Sequence, residues 1–187
     1  TGLKPWSADN YDLSLEYYTD QGGLFSAGAF LKEIRNFFGS AVRVATPANL
    51  QEVGIGPEYA GWELSTQFNL PGIARVRGAE FNVRHSLRAL GAWGRPFQVF
   101  ANATKLDLEG SQSANFSAFI RESANWGVNF SRNSLTLLAK WNYRGLQKGG
   151  PIAAVNGYQY GEARTTLDVN ADYQIRRNLA LFVNAQN

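Results

Sequence analysis

His85 is the only histidine in this chain and cysteine is absent, so few side chains could work chemically at neutral pH. One imidazole and no thiolate exclude multi-histidine and cysteine-rich metal centres, and disulfides with them. What remains are 15 carboxylates and 18 lysines and arginines. Two facing carboxylates could serve a substrate as general acid and general base. No spacing here separates such a pair from charges along a solvated or salt-bridged face. No Gly-x-Ser-x-Gly marks a nucleophile elbow, and the glycines of "GLQKGG" and "GEA" do not make a phosphate loop. The net charge of +3 is scattered, without the basic run and interleaved aromatics of a nucleic-acid surface. The residues indicate no enzyme, no catalytic or metal site, no cofactor and no nucleic-acid partner.

What does recur is a two-faced pattern. Between Arg164 and Ile175, Thr165, Leu167, Val169, Ala171, Tyr173 and Ile175 fall on one side of an extended chain. Arg164, Thr166, Asp168, Asn170, Asp172 and Gln174 fall on the other, as the period of two in a strand requires. The same split runs through Tyr11–Tyr17, Ala79–Ala89, Ala124–Ser131 and Leu135–Arg144, and less cleanly through 24–37, 97–107 and 179–187. With 187 residues the chain has the length of one domain, and no apolar run approaches the roughly 18 residues of a spanning helix. Several strand runs reach eleven residues or more. Globular strands have a mode of about 5–6, while a tilted strand crossing a bilayer needs about 9–11. Length thus favours a membrane barrel, with the apolar face toward lipid and the polar face toward a wet lumen. The opposite orientation would put Arg84 and Lys140 in hydrocarbon at about 2–4 kcal/mol each. Aromatics near strand ends, Tyr11, Tyr17, Trp141, Tyr143 and Tyr173, suit interfacial girdles.

Connections add direction. "RNS" (132–134), "RRN" (176–178), "TDQGG" (19–23) and "GAWGRP" (91–96) are short, whereas 108–120 and 147–163 are long. Short turns belong at the periplasmic rim and long loops outside. Strand 24–37 then runs up and strand 79–90 down, so "WELSTQFN" (62–69) cannot be a separate crossing. It is expected to pair with the start of "GIARVRGAEF" across the "LPG" turn, above the membrane. Eight crossings result: 11–18, 24–37, 74–90, 97–107, 121–131, 135–146, 164–175 and 179–187. "TPANLQEVGIG" (46–56) is expected to hold one helical turn starting at Pro47. The N-terminus has no signal-peptide pattern, and "NLALFVNAQN" reads as a strand in progress, so a fragment of something longer is expected.

The phrases "LKPWSADNYDLSLEYY" and "GGLFSAGAFLKEIRNFF" resemble the C-terminal half of the barrel of TonB-dependent receptors. The likeness continues through "NLPGIARVRGAEFNVRHSLRAL", "FQVFANATKLD", "SANWGVNFSRNSLTLLAKWNYRGLQ" and "YGEARTTLDVNADYQIRRNLALFVNAQN". It covers essentially the whole chain in the family's order. It implies an all-β fold, a membrane β-barrel fragment made as an up-and-down antiparallel meander of eight long strands. These would be roughly strands 14 to 21 of a barrel of about 22, residues 1–187 forming one partial domain without plug, signal peptide or last strand. It implies uptake of a scarce solute (siderophore, vitamin, saccharide or peptide) across the outer membrane of a Gram-negative bacterium. The implied partners are outer-membrane lipid, a small-molecule ligand and the TonB complex, contacted through a part not in this chain. A passive porin-like channel and a soluble all-β binding module are the alternatives. Under the barrel reading Arg144, Arg164 and Asp168 face the lumen near the upper loops, where they could meet solute or form a ladder of charge pairs. His85 falls on the apolar face near the short turns, as a structural histidine.

Overall fold

The computed structural model describes residues 2–110, 118–152 and 157–187. Its strands are β1 (Ser7–Tyr18), β2 (Leu24–Arg35), β3 (Phe38–Val44), β4 (Glu63–Asn69), β5 (Ile73–Ser86), β6 (Phe97–Glu109), β7 (Glu122–Arg132), β8 (Leu135–Arg144), β9 (Gln147–Ile152), β10 (Gly157–Gly161), β11 (Arg164–Arg176) and β12 (Leu179–Gln186). One helix, α1 (Pro47–Glu52), and 3-10 turns at Pro57–Tyr59 and Leu87–Leu90 complete the set. Eight strands form a single sheet in the order β1-β2-β5-β6-β7-β8-β11-β12, while β3 with β4 and β9 with β10 make two separate ribbons. The order is that of an up-and-down meander with two excursions. Its eight long strands are the expected eight crossings. The expected long loops 108–120 and 147–163 include 111–117 and 153–156, which lie outside the described residues.

Register explains why the two faces separate. Val99, Val128, Ala139, Val169 and Ala185 are successive cross-strand partners, so one row through five strands is wholly apolar. One residue along, Gln98, Asn129, Leu138, Asn170 and Asn184 make a mostly polar row on the other face. Two-residue turns close both hairpins: the first locks this register, with Arg132 opposite Leu135, while in the second a bulge after Gln174 precedes the pairing of Arg176 with Leu179. Asn133 takes the left-handed φ of 53° that the first needs, a conformation asparagine tolerates better than most residues.

Few side chains of the sheet are buried among the described residues. Among the described residues, the buried apolar side chains are Ile34, Ala45, Leu50, Leu70 and Ala74, and every one lies between residues 32 and 75. This stretch belongs to a compact unit formed by Thr1–Asp9, Lys32–Arg75 and Glu109–Asn115. Its centre is Leu50, only 2 % exposed on α1. Thr46 caps that helix, accepting from the Asn49 amide at 3.4 Å while its own amide donates to Asn49 Oδ1 at 2.8 Å. Pro47 stands at the first turn, as expected. The apolar face of the sheet, in contrast, is open: Leu13 and Leu15 are 77 % and 75 % exposed.

Some expectations need correction. Residues 62–69 do not pair with the start of β5; β4 pairs antiparallel with β3, from Phe38 opposite Asn69 to Val44 opposite Glu63. The strand expected over 24–37 breaks at Asn36, whose φ is 55°, and resumes as β3. Asn69 fastens the break, its side-chain amide donating to the carbonyls of Lys4 at 2.8 Å and Asn36 at 2.7 Å. Gly72, at φ 90°, then turns the chain into β5 in a way that side chains other than glycine resist. Residues 62–69 do stay out of the eight-stranded sheet, as strand parity required. Second, 87–90 is not strand: Ser86 caps a 3-10 turn by accepting from the Arg88 amide at 3.4 Å. Third, the stretch 147–163 is not all loop, since β9 and β10 pair there.

Candidate functional site

Amide and charge pairs line part of the polar face. Asn102 and Asn125 exchange side-chain hydrogen bonds of 2.8 and 2.7 Å across β6 and β7. Asn142, opposite Asn125, donates to Asp168 Oδ2 at 2.8 Å, and Lys140 Nζ lies 3.4 Å from the same oxygen. Asp168 is therefore already satisfied by a cation and an amide. Arg144 and Arg164 stand directly opposite one another on β8 and β11. Like charges so placed repel, at about 0.2–1 kcal/mol. Arg144 Nε is in addition buried without a hydrogen-bond partner. The three residues marked by the sequence thus share a face by strand parity but divide into a closed charge pair and an open arginine pair.

The polar face is also packed more than its pattern suggests. Phe100 lies over Gly127, and Phe30 with Leu106 over Gly78. A Cβ on Gly127 would come within 2.6 Å of the Phe100 ring and against the Ala139 carbonyl. On Gly28 it would meet only the Leu13 carbonyl at 3.5 Å, an ordinary contact. Gly127→Ala should accordingly destabilise the sheet by about 1–3 kcal/mol and Gly28→Ala by much less. Denaturant unfolding of the two variants in detergent checks this; equal midpoints would remove the packing argument.

His85 lies at the end of β5 against an aromatic ring. Its Nδ1 is 2.6 Å from the Ser86 carbonyl, and its ring sits 5.8 Å from that of Phe25, which is 6.5 Å from Tyr17. Phe97 and Phe130, 5.0 Å apart, continue the aromatics at the short-turn end. Toward the other end, Trp126 and Trp141 stack at 6.5 Å with planes 6° apart. Among the described residues no group of three or more histidines, cysteines or carboxylates could hold a metal ion. No helix among them is long and apolar enough to cross a membrane, which says nothing of a β-barrel. Sequence reasoning missed the Asn102–Asn125 pair and the ion pairs Arg77–Asp107 (2.8 Å) and Lys105–Glu122 (3.1 Å), because each depends on cross-strand register.

The family model described as TonB dependent receptor-like, beta-barrel matches residues 1–187. The chain belongs to the TonB-dependent receptor β-barrel family. Solved structures agree on the fold of this receptor segment. A mutant of the ferric enterobactin receptor PfeA from Pseudomonas aeruginosa, in complex with enterobactin, is 20 % identical with a TM-score of 0.71, covering 100 % of this chain and 26 % of that one. The copper transporter OprC is 16 % identical with a TM-score of 0.69, covering 99 % of this chain and 26 % of its own. The ferripyoverdine receptor of the outer membrane of Pseudomonas aeruginosa, bound to ferripyoverdine, is 16 % identical with a TM-score of 0.63, covering 99 % and 23 %. The TonB-dependent receptor segment therefore spans about a quarter of the length of these structures. No curated protein sequence matches it.

Proposed function

We propose that this chain is a wall segment of an outer-membrane TonB-dependent transporter, roughly strands 14 to 21 of about 22. In this reading the transporter takes up a scarce solute, a siderophore, vitamin, saccharide or peptide, with energy passed through TonB. The carrying observation is the eight-stranded meander whose apolar face is uncovered while its opposite face holds amide and charge pairs. Lipid is the partner that such an apolar face calls for, and a wet lumen suits the other. Membership of a receptor family supports transport over passive permeation, and supports an outer-membrane location. Arg144 and Arg164, opposed and without an ion pair among the described residues, are assigned to meeting anionic groups of the solute.

The test uses a complete receptor containing this segment, with a panel of radiolabelled ferric siderophores, cobalamin and maltodextrins as probes. Accumulation of one probe should require TonB and collapse with an uncoupler. For an anionic probe, Arg144→Gln with Arg164→Gln should cut uptake several-fold at unchanged receptor abundance. Accumulation that is indifferent to TonB would favour a passive channel.

A further inference from the structure

At the short-turn end of the sheet a groove of ≈ 740 Å³ opens between the 91–96 turn and the start of the β7–β8 turn. Its walls are of two kinds. Phe97, Phe130 and Trp93 supply apolar surface, while Arg95 and Arg132 supply guanidinium groups. Arg132 and Phe130 also line a second groove of ≈ 400 Å³, shared with Leu135 and Tyr173. By register Phe97, Phe130 and Leu135 belong to the apolar face, so both grooves run into it.

The charge here is one-sided. Arg88, Arg95, Arg132, Arg176 and Arg177 sit in or beside the short turns, against Asp20 as the one carboxylate within those turns. None of the five makes an ion pair among the described residues. Several cations near the opposite strand ends are paired, Arg35 with Asp9, Arg75 with Glu33 at 2.7 Å and Arg77 with Asp107 at 2.8 Å, while the opposed Arg144 and Arg164 are not, among the described residues.

We propose that this groove holds an anionic phospholipid of the turn-side leaflet, its phosphate between Arg95 and Arg132 and an acyl chain along Phe97 and Phe130. The proposal rests on the wall reading above and names a partner for one end of it. Guanidinium forks match phosphate oxygens in two-point contacts. Trp93, 64 % exposed, has the amphipathic ring that settles at headgroup depth. A free phosphate would use the arginines and leave the aromatic wall bare; a lipid uses both.

The experiment takes a complete receptor containing this segment, folded in detergent, delipidated and titrated with phosphatidylglycerol or phosphatidylcholine under native mass spectrometry. Wild type should retain one phosphatidylglycerol in strong preference to phosphatidylcholine. Arg95→Gln with Arg132→Gln should lower that retention roughly tenfold or more. Arg176→Gln with Arg177→Gln, on a turn away from the groove, should change it less than about twofold. Equal retention in wild type and the Arg95/Arg132 variant overturns the site, and an equal fall in both double variants reduces it to general surface charge. Wild type that keeps no phosphatidylglycerol also overturns it, leaving an acidic protein segment as the occupant. Heat-modifiable migration after insertion into vesicles is scored separately. A receptor that inserts but keeps no lipid retires this proposal alone, and one that fails to insert retires the wall reading.

Discussion

Val169→Arg, in a complete receptor containing this segment, is expected to block assembly of the heat-modifiable barrel, while Asn170→Arg leaves it near wild-type yield. The residues are adjacent, so propensity and position along β11 cannot separate them; only the face does. Val169 lies between Ala139 and Ala185 in the apolar row. Asn170 lies between Leu138 and Asn184 on the other side. A guanidinium on the lipid face near the midplane costs about 2–4 kcal/mol, against almost nothing in a wet lumen. Quantifying folded and unfolded bands from outer-membrane fractions reads the difference. Equal yields would contradict the assignment of faces.

The second large effect concerns the 187-residue chain by itself. In water without detergent it is expected to sediment as heterogeneous aggregates. Two features drive this. β1 and β12 stand at the ends of the strand order, each with one edge of backbone donors and acceptors offered to any passing strand. The apolar face adds Leu13, Leu15, Tyr17, Leu181 and Val183, all more than half exposed, to a continuous surface of the kind soluble monomers avoid. A monodisperse monomer with cooperative unfolding would restore the soluble binding module as the leading reading.

How much of this could be read from residues alone follows from where period two survives. β8 and β11 have one face nearly all apolar and one nearly all polar, and they emerged at 135–144 and 164–176 against expected 135–146 and 164–175. β2 and β6 alternate poorly because Phe30, Phe100 and Leu106 lie on the polar face, where they fill the space over Gly78 and Gly127. Their irregularity was packing, visible only once neighbours were known. β9, "QKGGPI", consists largely of turn-forming residues and gave no strand signal. Leu87 and Ala89 fit strand alternation as well as a 3-10 turn, and the Ser86 cap decided between them. For the site, the sequence put Arg144, Arg164 and Asp168 on one face, but that Asp168 is claimed by Lys140 while the arginines oppose each other is a matter of register. Spacing along a chain does not encode that.

The unequal connections between neighbouring strands set an order of events during folding. β7 with β8 and β11 with β12 close over two residues, so each can zip as soon as its turn forms. β2 and β5 are neighbours in the sheet, yet residues 36–72 lie between them. Bringing such ends together costs roughly 2–3 kcal/mol more in chain entropy than closing a tight turn. Contacts of that sequence separation form late. The hairpins are therefore expected to form first and the β2–β5 seam late, across an excursion whose ends Asn69 ties together. A defect in α1 or at Asn36 is then expected to slow closure of the wall, with stability lowered by at least as much as the folding barrier is raised.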